Sequence, residues 1–130
     1  MHEESPVAVF NKDIIKLTEA NKNWQQEAYF DDLVQIVMMS IPEGEEIGEE
    51  THDADQTTFI VAGEGQVVVD GSRTKVTPNH LVVIPKGAKH NIINKGEGEL
   101  KIFTVYSPPA EDEGVSFKTK DEAEAAEEDE

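Results

Sequence analysis

Gly44-Glu45-Glu46-Ile47-Gly48-Glu49-Glu50-Thr51-His52-Asp53-Ala54-Asp55-Gln56 is the stretch from which the rest of the sequence is read, and it is answered downstream by Pro85-Lys86-Gly87-Ala88-Lys89-His90. Glu50 and His52 stand two apart, so on an extended strand both side chains point to one face. Gln56 follows after a short acidic bend, and His90 arrives just past a Pro/Gly turn on another strand. Two imidazoles and a carboxylate brought together from separate strands are the donor set of a two-His-one-carboxylate metal centre. Gln56 adds a neutral amide oxygen as a weaker fourth ligand.

The spacing resembles that of the cupin superfamily. Its first motif runs Gly, five residues, His, any, His, three or four residues, Glu, six residues, Gly; here Gly44, Glu50, His52, Gln56 and Gly63 hold those places. Its second motif runs Gly, five residues, Pro, any, Gly, two residues, His, three residues, Asn; here Asn79, Pro85, Gly87, His90 and Asn94 hold them. Three positions depart, with Glu50 for His, Gln56 for Glu and Asn79 for Gly. The region between the motifs, Glu64 to Pro78, is short, and the resemblance covers roughly residues 33 to 106.

The resemblance implies an all-β fold, an antiparallel jelly-roll barrel. It also implies a divalent metal (Fe, Mn, Ni or Zn) on Glu50, His52, Gln56 and His90, and a small organic molecule acted on by a dioxygenase or isomerase. A non-catalytic small-ligand-binding or sensing barrel is the alternative, since one fold hosts many functions. The usual ligand set has one carboxylate among imidazoles, and this chain retains one carboxylate at a shifted place. A barrel whose polar groups bond only to one another or to water is the reading without a metal.

The chain has 130 residues, enough for one domain. It has no cysteine, so disulfides and thiolate ligands are excluded and any metal is held by N and O donors. The first residues lack a basic segment followed by an apolar run, and no apolar stretch approaches a membrane span, which predicts a cytoplasmic protein. With 11 Lys+Arg against 28 Asp+Glu the formal net charge is −17, which repels nucleic acid and anionic membranes. No nucleophile elbow or phosphate-binding glycine loop is present.

In chain order, residues 1–23 read as an N-terminal segment holding a short helix from Asp13 to Glu19, capped by Asn11, with Ile14 and Leu17 on one face. Residues 24–109 read as the barrel. Trp24 to Phe30 and Leu33 to Ile41 pair, the second apolar on both faces and so central. Strands are then expected over Thr57–Val61, Gln66–Val69, Thr74–Thr77, Leu81–Ile84, His90–Asn94 and Leu100–Tyr106, with a tight Asp70-Gly71 hairpin and another hairpin at Gly96-Glu97-Gly98. Residues 110–130 read as an acidic C-terminal tail, a fraying helix or disorder.

Met38, Met39, Phe59, Phe103 and Tyr106 are candidates for an apolar pocket around the metal. Glu46 and Glu49 read as solvated, and His80 as a surface histidine. A homodimer through sheet edges is expected, with the strands from Trp24 to Ile41 as its material.

Overall fold

The structure, a computed structural model, describes residues 9–128. Nine strands form two antiparallel sheets: β1 (Gln25–Phe30), β2 (Gln35–Ile41), β3 (Asp55–Ala62), β4 (Gly65–Val69), β5 (Ser72–Val76), β6 (Leu81–Ile84), β7 (His90–Asn94), β8 (Leu100–Ser107) and β9 (Ser116–Phe117). The large sheet runs β6-β3-β8-β2-β1-β9 and the small one β5-β4-β7. Single bridges, Glu46 to Ile93 and Glu50 to His90, carry the chain before β3 along the free side of β7. The sheets face each other and close over Ile41, Ile60, Ile84, Ile92, Leu100 and Ile102, each at most 1% exposed. Each such side chain contributes ~1.5–3 kcal/mol on burial.

The strands expected from alternation are present, and β2, interior to the large sheet, is buried on both faces: Val37, Met39 and Ile41 enter the core, and the helix at Ile14–Ala20 packs against the sheet at β2, β3 and β8. Asp70 and Gly71 close the β4–β5 hairpin with φ of 48° and 85°, the left-handed pair that matches the twist of a two-residue connection. The Gly96-Glu97-Gly98 turn differs from expectation. It closes no hairpin, because β7 pairs with β4 and β8 with β2 and β3; the turn carries the chain from the small sheet to the large one.

Helix α1 (Ile14–Ala20) is capped by Asp13, not Asn11: the Asp13 carboxylate accepts from the Lys16 amide at 3.1 Å. Its buried position is Thr18, four residues beyond Ile14, whereas Leu17 is exposed. The acidic segment is built into the fold as far as it is described: β9 pairs with β1, and helix α2 spans Lys120–Glu128. β9 thus covers the outer edge of β1 at Gln25 and Gln26. Residues 1–8, including His2, lie outside the described residues. Among the described residues no helix is long and apolar enough to cross a membrane.

Candidate metal centre

Glu50, His52 and His90 meet inside the barrel, with one potential ligand atom from each lying within 4.8 Å of the others. Backbone pairing brings them there. The Glu50 amide donates to the His90 carbonyl at 2.8 Å and the His90 amide returns a bond to the Glu50 carbonyl at 2.9 Å. Residues 51–54 belong to no strand, so strand alternation does not place His52; instead its carbonyl accepts from the Gly87 amide at 3.0 Å, tying it to the turn before His90. The imidazole centroids are 5.3 Å apart.

The ring orientation of His90 is fixed by its backbone. Nδ1 donates to the Ala88 carbonyl at 3.0 Å, which leaves Nε2 with its lone pair free. That Nε2 is buried with no partner, as are His52 Nε2 and Gln56 Oε1. Gln56, 3% exposed, spends its amide N–H on Thr58 Oγ1 at 3.3 Å, and the Thr58 hydroxyl contacts that of Thr104 at 2.8 Å. Gln56 is paired in register with Tyr106, whose ring centroid lies 5.3 Å from that of His52. Buried acceptors without donors are costly, and orphans of this kind beside a carboxylate fit a cation.

Charge around the cluster is unbalanced. Glu50 Oε1 stands 3.5 Å from His52 Nε2, a charge contact rather than a hydrogen bond. Burial lowers the His52 pKa, yet the Glu50 carboxylate and the more distant Glu111 raise it by more, leaving it above its ordinary value. Burial, together with the charges of Glu111 and Glu50, keeps the Tyr106 phenol protonated. Glu111 itself is pushed up to about 7, by burial first and by repulsion from Glu50 second.

A cavity of about 250 Å³ opens onto Glu50 and Tyr106, walled by Trp24, Met39, Glu111 and one side of α2 from Lys120 to Glu127. Of the expected apolar lining only Met39 and Tyr106 reach it. Met38, Phe59 and Phe103 alternate to the opposite face of the large sheet, where Phe59 and Phe103 stack at 5.4 Å. His80 is exposed and bonds to Thr77, and Glu46 is exposed and accepts from Asn91. Sequence reasoning passed over Glu111, Trp24 and Lys120. No motif marks them, since they meet the site only through the return of the tail onto β1.

The sequence matches the cupin domain family over residues 37–106. It is 33% identical over 125 residues to the uncharacterized protein YrkC of Bacillus subtilis, covering 91% of this chain and 67% of that one. The fold superposes on BH2720 of Bacillus halodurans with a TM-score of 0.88 at 30% identity, covering 92% of this chain and 96% of the other. A salicylate 1,2-dioxygenase from Pseudoaminobacter salicylatoxidans shares the fold at a TM-score of 0.54 and 17% identity, over 58% of this chain and 21% of its own.

Proposed function

The chain belongs to the cupin family, and on that premise we propose that it is a metal-binding barrel that acts on a small organic molecule by oxygenation or isomerisation. The observation that carries the reading is the set of three orphaned, buried polar atoms, His52 Nε2, His90 Nε2 and Gln56 Oε1, beside the Glu50 carboxylate. Glu50, His52 and His90 would hold a divalent ion, with Gln56 as a weaker fourth donor. An iron or manganese ion supplies adjacent positions for oxygen ligands, and a zinc or nickel ion supplies Lewis acidity.

The chain's own residues would prepare the site for such a ligand. Trp24 and Met39 give the cavity its apolar surface for packing a ligand's carbon skeleton, while Tyr106, held protonated, is a donor for a ligand oxygen. The net charge of −17 supports a small-molecule partner over nucleic acid or an anionic membrane. The likeness to the dioxygenase, at 17% identity, supports the fold and leaves the reaction type to the chemistry of the site.

Oxygen uptake and product analysis with iron- or manganese-loaded protein, across a panel of small enediols, phenols and sugars, tests the proposal. Turnover that disappears in His90→Ala is the expected result. Saturable binding without turnover in any loaded form would instead assign a sensing or carrier barrel.

A further inference from the structure

The cavity wall contributed by the C-terminal segment is outside the residues matched to the cupin domain, and it is strongly acidic. Glu49, Glu50, Glu111, Glu124 and Glu127 all line the cavity, against a single lysine, Lys120. That lysine is occupied elsewhere: Nζ donates to the Glu46 carbonyl at 2.6 Å, stands 3.9 Å from the Glu45 carboxylate and lies 5.7 Å from the centre of the Trp24 ring. Among the described residues none of the five lining carboxylates has a Lys or Arg ion-pair partner; the one pairing is Glu50 with His52.

These five charges are not equivalent. Glu49, Glu124 and Glu127 are exposed, so water and salt screen them. Glu50 is engaged with His52 and belongs to the metal cluster. Glu111 is half-buried, lines the cavity and, among the described residues, has no Lys or Arg ion-pair partner, and it sits on a segment whose backbone is clamped. Gln35, 0% exposed, accepts from the amides of Ala110 and Glu111 at 3.2 and 3.0 Å and donates to the Glu111 carbonyl at 3.3 Å. A carboxylate so held cannot swing away to solvent by backbone motion. Glu50 lines the cavity and also belongs to the cluster with His52 and His90, whose unpartnered Nε2 sits on a residue 3% exposed, so the cavity leads to a ligand site rather than only to a solvated acidic surface.

We propose that Glu111 is the specificity-determining residue of this cavity, selecting ligands that present an ammonium or hydroxyl donor and rejecting those that present a carboxylate to the tail side. The proposal rests on the metal-barrel reading for its ligand but not for its charge argument. Once Glu111 is ionised, above about pH 7, an anion entering beside it meets a like charge in a partly desolvated wall, whereas a donor group meets an acceptor already in place. The Glu111 proton is retained up to about 7 by burial first and by repulsion from Glu50 second, with His52 opposing both.

Trp24 is the sole tryptophan and lines the cavity, so its fluorescence reports occupancy. The test titrates benzylamine and benzoate, matched in ring and opposite in charge, into metal-free and manganese-loaded protein at ~pH 8, where carboxylates of this kind are ionised. In the metal-free protein benzylamine is expected to bind at least ~10-fold tighter than benzoate, and Glu111→Gln to narrow that ratio several-fold. Glu127→Gln, at an exposed position, is expected to change it by less than ~2-fold. Benzoate binding as well as benzylamine, an unchanged ratio in Glu111→Gln, or saturation by neither probe would overturn the proposal. Failure of the metal reading shows separately, as absence of manganese uptake with the metal-free ratio intact.

Discussion

Glu111 and His52 give the site opposite responses to pH. The folded protein holds the Glu111 proton up to about 7, against an ordinary value of 4.5, so between these values the folded state binds more protons than the unfolded. Stability from this group is therefore fully present below 4.5 and is lost as pH rises through about 7. Metal-free protein should show a Tm that falls over this window, and the fall should be smaller in Glu111→Gln; equal slopes would remove Glu111 as the cause. Metal affinity should move the other way. His52 must be neutral to ligate, and against the lowering effect of burial the Glu50 carboxylate holds its pKa above the ordinary 6.5, so binding weakens as pH falls, from a point above 6.5. Glu50, His52 and His90 were legible in the sequence because motif spacing fixes which residues pair across β7, whatever the strand assignment of residues 51–54. Glu111 was not, because its approach depends on Gln35 binding a backbone 76 residues away.

The elements around the site are held by the last residue of the second motif as much as by the core. Asn94, 3% exposed, donates to the Ile41 and Gly98 carbonyls, both at 2.9 Å, and accepts from the Gly96 amide at 3.0 Å. It shapes the turn that sends the chain from β7 in one sheet to β8 in the other. Asn94→Ala leaves those backbone groups unpaired and should cost ~3 kcal/mol in denaturant unfolding, whereas a loss under ~0.5 kcal/mol would mean water replaces the side chain. Asn79, which stands where the family motif has glycine, adopts φ 76°; asparagine is among the few residues that tolerate this region, so the departure is conservative in backbone terms. The faces of the strands were less legible. Alternation separates Met38 from Met39, but which of them turns inward depends on where the second sheet lies, and that is a long-range fact.

At the scale of the molecule, the outer face of the large sheet carries Leu81, Val83, Thr57, Phe59, Phe103 and Val105 in two adjoining rows without a charged residue. Leu81 and Val83 are 61% and 64% exposed. For a chain of net charge −17, a surface on which two copies meet must be one that excludes like charges, and this face does so. We propose that it, rather than the β1 edge, which β9 covers at Gln25 and Gln26, joins a homodimer. Light scattering should give about twice 14.4 kDa, falling to 14.4 kDa in Val83→Lys; wild-type protein at the lower mass would refute the dimer. The account as a whole stands on a metal within the barrel, and calorimetric titration of manganese into untagged protein at ~pH 7.5 tests that most directly. It predicts a single ion per chain, an affinity reduced more than ~10-fold in His52→Ala, little change in Gln56→Ala and a gain in Gln56→Glu. Equal affinities for wild type and His52→Ala would contradict it.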